Sequence, residues 1–189
     1  MRETLIVVDM QNDFIDGTLG TKEAQAIVSN VAKKIKEYKD AGKQVIFTRD
    51  THPENYLETY EGKHLPVTHC VKNTIGWQIS DKLDFDIEND ILIDKLTFGW
   101  THWDDFNFKS VEICGLCTEI CVVSNALYRM PVVGAMVCVL HNSDSQEMGT
   151  CIGTFWNEDN KPVGGKKQRY RYDYNDKKGK AFEQYDGDS

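Results

Sequence analysis

Three residues far apart in the chain carry side chains suited to nucleophilic catalysis, and each follows an apolar run. Asp9 comes after residues 4–8, Lys95 after residues 91–93 and Asp94, and Cys121 after residues 111–114 and a Gly-containing turn. A cysteine needs a base or a positive neighbour to attack near neutral pH. Lys95 would stabilise a thiolate, and Asp9 would accept the thiol proton and later give it to a leaving amine. Cys121 opens a run, residues 121–128, that reads as a helix. Unpaired N–H groups and the positive end of the dipole favour thiolate over thiol there. Backbone N–H groups around Cys117 and Cys121 are candidates to hold an oxyanion. Together these describe acyl transfer through a thioester. Taken singly, each residue has a plainer role: strand-end cap, solvated lysine, small buried hydrophobe.

A second constellation is Asp50-Thr51-His52, with His69 further along. Two imidazoles and a carboxylate on one loop suit one divalent metal ion such as Zn, Fe or Mn. His64 and Glu61 are further candidates, as an alternative ligand and a partner through water. Cys70 follows His69 directly, so in extended backbone it points the other way. Cys114-Gly-Leu-Cys117 matches Cys-x-x-Cys, but its first cysteine lies in a strand, where a redox cysteine should start a helix. A zinc site from Cys114, Cys117 and Cys121 lacks a fourth ligand at convincing spacing. Phe14, Phe98 and Trp103 fall near these groups and are candidates to sandwich a planar substrate, against the plainer role of core packing.

The elements that must position these groups alternate. Residues 4–8, 44–48, 91–93 and 111–114 read as strands, and 131–140 as a fifth. Residues 11–20 read as a loop. Thr21 is a plausible N-cap for a helix in which Ala24, Ile27, Val28, Val31, Ile35 and Tyr38 recur on one face, with Gly42 as its stop signal. A polar loop spans 50–73, a short helix is expected over 75–83, and residues 100–108 are a further helical candidate. Strands alternating with helices imply βαβ units, hence a three-layer α/β/α fold with a mostly parallel sheet. Ligands of such sheets bind beyond the carboxyl ends of the strands. Asp9, Asp50, His52, Lys95 and Cys121 all fall at those ends, so topology alone brings them to one rim.

The chain has 189 residues and a net charge of -8. That length supports a real core, and the negative charge argues against a nucleic-acid partner. No apolar run is long enough to span a membrane, and the apolar stretch near the start breaks at Asp9, unlike a signal peptide. A cytoplasmic location is expected, with the six cysteines as thiols, ligands or catalysts and not a disulfide framework.

Five stretches carry a resemblance: Val8-Asp9-Met10-Gln11-Asn12-Asp13-Phe14, Thr48-Arg49-Asp50-Thr51-His52, Leu65-Pro66 with His69-Cys70, Asp94-Lys95, and Gly115-Leu116-Cys117-Thr118-Glu119-Ile120-Cys121-Val122. In that order they resemble the isochorismatase-like cysteine hydrolases, nearest the nicotinamidase branch. The resemblance implies a catalytic triad of Asp9, Lys95 and Cys121 and a metal held by Asp50, His52 and His69. It also implies a cis peptide at Leu116–Cys117 that turns the Cys117 and Cys121 amides toward the oxyanion. The expected reaction is hydrolysis of a small amide, nicotinamide to nicotinate and ammonia first, as in pyridine nucleotide salvage. The alternatives are another small amide, ureide or carbamoyl substrate, and a non-catalytic remnant that only binds. Family members are often dimers or tetramers, which makes a homo-oligomer a further expectation.

Two departures stand out. Nicotinamidases usually carry Trp-Pro before the second metal histidine, where this chain has Leu65-Pro66. From about Met130 the pattern of the family is lost. We divide the chain into a hydrolase domain, 1–140, and an atypical polar segment, 141–189, whose residues 161–189 are poor in aliphatic residues and typical of a weakly ordered tail. A change of reading frame near residues 128–131 and a lineage-specific ending both account for it.

Overall fold

The structure, a computed structural model, describes residues 2–127 and the strand segments 136–139, 150–154, 169–170 and 184–185. The first apolar run forms β1, Arg2–Val8. Leu5 and Val7 enter one core cluster and Ile6 and Val8 another, all fully buried. Alternate residues point to opposite faces of a strand, so a strand apolar on both faces belongs inside a doubly covered sheet. β1 sits there. β2 is Gln44–Asp50, β3 is Ile91–Lys95 and β4 is Phe108–Gly115. The sheet runs β3-β2-β1-β4 with every pairing parallel. The strand order reverses between β1 and β4, which opens a crevice beyond their carboxyl ends.

The helix α2, Lys22–Asp40, covers one face. The Thr21 side chain accepts from the Ala24 N–H at 3.0 Å, and the helix stops before Gly42, whose φ of 64° suits glycine. Its buried residues are Ala24, Ile27, Val28, Val31, Ile35 and Tyr38, the face read from the sequence. The opposite face is covered by Trp103, Phe106, Phe108, Cys121 and Val122. Both faces of the sheet are therefore packed, as an α/β fold requires. No helix among the described residues is long and apolar enough to cross a membrane.

Several expectations are corrected. Residues 75–83 form turns and not a helix. Their backbone groups are taken by the segment after β1: Asn12 N–H donates to Gln78, Asp13 N–H to Gly76, and Ser80 N–H to Met10. Groups so used are not free for an i to i−4 ladder. Residues 100–108 hold only a single 3-10 turn, Trp103–Asp105, because β4 already begins at Phe108, opposite Arg2. The segment 11–20, read as loop, contains one helical turn, α1, Asn12–Ile15. The loop after β2 contains a 3-10 turn, Tyr56–Glu58, and α3, Tyr60–His64. The run read as a helix from Cys121 begins inside a π turn, Thr118–Val122, and continues as α4, Val123–Leu127. Within the expected fifth strand, Met136–Val139 pairs antiparallel with Thr150–Thr154 in a separate two-stranded sheet. Arg169–Tyr170, in a stretch with strand-like alternation, pairs with Gln184–Tyr185. The proposed boundary at 140 and most of the polar segment lie outside the described residues.

Candidate active site and metal centre

β1 ends in Asp9, whose φ of 50° lies in the left-handed region that Asp tolerates better than most residues. The Asp9 N–H donates to the Thr48 carbonyl at 3.2 Å, and the Thr48 hydroxyl donates to Asp9 Oδ1 at 2.7 Å. Asp9 Oδ2 lies 2.6 Å from Lys95 Nζ, and both side chains are fully buried. Lys95 stands at the end of β3, with β2 between it and β1, so its long stem reaches across β2 to the carboxylate. The same Nζ lies 3.7 Å from Cys121 Sγ and 3.6 Å from Asp50 Oδ1.

Cys121 arrives from β4 through a tight junction. Gly115 has φ 128°, and a Cβ there would fall on the Val8 carbonyl oxygen. Leu116 N–H donates to that same oxygen at 3.0 Å. The Leu116–Cys117 peptide is cis. The π turn follows, and Val122 N–H closes it on the Cys117 carbonyl at 3.1 Å. Asn125, fully buried, donates to the Cys121 carbonyl at 2.8 Å. It also accepts from Trp100 N–H at 2.9 Å and donates to the Phe98 carbonyl at 3.3 Å. It thereby ties the turn bearing Cys121 to the loop that follows Lys95.

The surroundings of the Cys121 thiol work against the thiolate that a helix start favours. Burial pushes Cys121 well above an ordinary thiol, the Asp9 charge adds to this, and Lys95 only partly opposes it. The residue sits in a π turn before a helix of five residues, where little dipole is available. Burial likewise pushes Asp9 up from the ordinary carboxylate value, against the pull of Lys95. Burial works against the Lys95 charge, but Asp9, Cys121 and Asp50 more than offset it and hold the ammonium protonated. Lys95 thus lies between the Asp9 carboxyl and the Cys121 sulfur, within reach of both.

Asp50, His52 and His69 converge next to this pair. Their ligand atoms all lie within 4.8 Å of one another, and all three residues are buried. Asp50 is fixed by Gln11, whose amide donates to the Asp50 carbonyl at 2.9 Å and accepts from its N–H at 2.7 Å. His69 Nδ1 is paired with the Val67 carbonyl at 2.8 Å, which leaves Nε2 as the lone-pair nitrogen facing Asp50 Oδ2 at 3.8 Å. His52 Nε2 lies 2.9 Å from Asp50 Oδ2 but is buried without a well-aligned hydrogen bond. The Tyr56 ring packs edge-on to both imidazoles, with centroids at 4.7 and 5.0 Å. Burial disfavours charge on His52, yet Asp50 pulls its pKa up on balance. A buried imidazole nitrogen without a sound partner, facing a carboxylate, fits a divalent cation. Glu61 stands 4.0 Å from both Nε2 atoms, the distance of a contact through water. His64 does not join this group; its ring pairs with the Tyr60 carbonyl at 2.8 Å.

Of the three aromatic candidates, Phe14 lies against the His69 ring at 5.6 Å. Phe98 is 46% exposed on the loop after Lys95. Trp103 has no exposure and packs with Phe106 and Phe108 in the core, the plainer of the two roles weighed for it. Reasoning from sequence missed Gln11, Thr48, Asn125 and Trp77. The Trp77 carbonyl accepts from Gln11 at 2.8 Å, and Arg49 stacks on its ring at 3.4 Å. Their only signal was polar or aromatic character within stretches already singled out.

This geometry can be set beside known proteins. The Isochorismatase domain family matches residues 3–129, well over half of the chain. The chain belongs to the isochorismatase family. Its similarity within that family runs to the nicotinamidase branch, and it is an amidohydrolase of this family. A nicotinamidase of Saccharomyces cerevisiae is 26% identical over 174 residues, covering 66% of this chain and 80% of that protein. The crystal structure of a pyrazinamidase of Pyrococcus horikoshii in complex with zinc is 34% identical, with a TM-score of 0.58 over 67% of this chain and 77% of that one. N-carbamoylsarcosine amidase from Thermoplasma acidophilum is 25% identical, with a TM-score of 0.62 over 78% and 86%. The family match ends at residue 129, close to where the sequence departs from the expected pattern.

Proposed function

We propose that this chain is a cysteine amidohydrolase that cleaves nicotinamide to nicotinate and ammonia. The observation that carries the reading is the buried Lys95 ammonium, 2.6 Å from Asp9 and 3.7 Å from Cys121, with a metal-type cluster beside it. Asp9 takes the thiol proton as sulfur bonds to the amide carbon, so no free thiolate needs to accumulate. Lys95 stays cationic and stabilises negative charge on whichever of the two partners holds it. The carbonyl oxygen becomes an oxyanion, for which the Cys117 and Cys121 N–H groups are the proposed donors. Asp9 returns the proton to nitrogen, the C–N bond breaks, and ammonia leaves a thioester. Water then attacks the thioester and gives a proton to Asp9. The thiolate leaves as the acid forms, and Asp9 reprotonates it.

Asp50, His52 and His69 would hold the divalent ion. When bound, it supplies a Lewis-acidic site for a ring nitrogen and so orients the substrate. The zinc-bound Pyrococcus horikoshii relative supports zinc as the first ion to test. Phe14, next to His69, is the first candidate for an aromatic wall of the substrate pocket, and Phe98 is the second.

Two observations favour a second reading, the same machinery acting on a non-aromatic amide, ureide or carbamoyl compound. Leu65 stands where nicotinamidases usually carry tryptophan, and a carbamoylsarcosine amidase is among the similar structures. Ammonia release from nicotinamide and from a panel of such compounds, with zinc present, separates the two. The first reading expects nicotinamide to be preferred. Faster release from a carbamoyl substrate would replace it with the second, and release from none would refute both.

A further inference from the structure

The Asp13 carboxylate takes no part in the chemistry above, yet it touches the backbone of the metal loop. Its Oδ2 accepts from the N–H of Cys70 at 2.7 Å, the residue that follows His69. Cys70 has φ 45°, a left-handed conformation that a residue with a Cβ keeps only where its surroundings fix it. The Cys70 carbonyl accepts from His52 N–H at 3.0 Å, and the His52 carbonyl accepts from Lys72 N–H at 3.0 Å. One carboxylate thus fixes a residue covalently joined to His69 and hydrogen-bonded to His52. The His69 ring is held to the Val67 carbonyl, so its direction follows the backbone of 67–70.

Asp13 is itself held in place. Its N–H donates to the Gly76 carbonyl at 3.0 Å. Gly76 packs against the carboxylate so closely that a Cβ there would fall on it. Asp13, His69 and Gly76 line the same surface groove.

We propose that Asp13 is a positioning residue that sets the affinity of the metal site by fixing Cys70, and through it His52 and His69. This rests on reading Asp50, His52 and His69 as a metal site. Groups that orient metal-binding imidazoles change affinity by about 10–100-fold.

The test is zinc affinity of the full chain, measured by competition with a chromophoric chelator. Asp13→Ala is expected to weaken zinc binding about tenfold or more. Asp13→Asn keeps an oxygen acceptor and is expected to restore most of that affinity. Gly76→Ala keeps the carboxylate but drives it off the Cys70 N–H. It should reproduce the loss, and add little on top of Asp13→Ala, because no carboxylate is left to displace. At saturating zinc, kcat of Asp13→Ala should return to near the wild-type value. A kcat that stays low would overturn the positioning role in favour of contact with substrate. Asp50→Ala, measured alongside, must lose zinc. If it does while Asp13→Ala binds zinc like wild type, Asp13 positions nothing. If Asp50→Ala also binds like wild type, the metal reading itself falls. Should Asp13→Ala fail to fold, Gly76→Ala decides, and unchanged affinity there overturns the proposal.

Discussion

Replacing Lys95 by methionine removes a fully buried cation 2.6 Å from Asp9 and keeps a side chain of similar length. At an effective dielectric of 20 the lost attraction is roughly 6 kcal/mol. Breaking a buried pair by removing one partner is observed to cost about 3–5 kcal/mol. The chain has an escape, since Asp9 can take up a proton. From the ordinary Asp value of 3.8, protonation at pH 7 costs about 4 kcal/mol, at about 1.4 kcal/mol per pH unit. The part of the Lys95→Met deficit at pH 7 that runs through Asp9 is therefore bounded at about 4 kcal/mol. Its sign with pH follows. A carboxyl whose folded pKa is raised above its unfolded value contributes stability that is fully present below the unfolded value and lost as pH rises through the folded one. The variant should thus close on wild type as pH falls toward the ordinary carboxylate range and diverge as pH rises to neutrality. Asp9→Asn combined with Lys95→Met removes both charges and should recover most of the loss. Urea denaturation at several pH values, with metal chelated in all samples, measures this. A Lys95→Met protein as stable as wild type at pH 7, with no pH trend relative to it, would refute the buried ion pair.

Other outcomes follow from the same geometry. Asp50→Ala should purify with far less metal than wild type, by elemental analysis, because two imidazoles remain without their carboxylate; unchanged metal content would remove Asp50 from the ligand set. Cys114 is 1% exposed, and burial pushes its thiol up to about 12 from an ordinary 9.0. That leaves about a thousandfold less thiolate near neutral pH. Peptide-resolved maleimide labelling should find Cys114 protected in the native protein and reactive in urea, and rapid native labelling would contradict its place in the core.

Much of this was legible before any coordinates, for a topological reason. β1, β2, β3 and β4 are apolar runs with a chemically distinctive residue at or just beyond the carboxyl end, and parallel pairing necessarily gathers those ends. The α2 face was equally plain, because six apolar residues recur at helical spacing and the Thr21 cap and Gly42 stop bracket them. Residues 75–83 misled because their apolar spacing suits a helix, while their backbone bonds go to residues 10–13, a long-range demand that no local pattern shows. Trp103 misled in the same way. Its position near Lys95 in sequence suggested a pocket wall, but its ring is fully buried and packs with Phe106 and Phe108 in the core. The state of Cys121 also needed the structure. Proximity to a helix start favours thiolate, but burial beside the Asp9 carboxyl opposes it, and burial cannot be read from spacing. Gln11 and Asn125 were invisible because a buried amide that bridges two loops looks like any polar residue until both loops are placed.

The central claim is that the Cys121 sulfur attacks the amide. Ammonia release from nicotinamide, measured on zinc-loaded wild type and Cys121→Ala at matched folding, tests it most directly. The predicted result is turnover by wild type and only background release by the variant. Equal rates in the two proteins would contradict it.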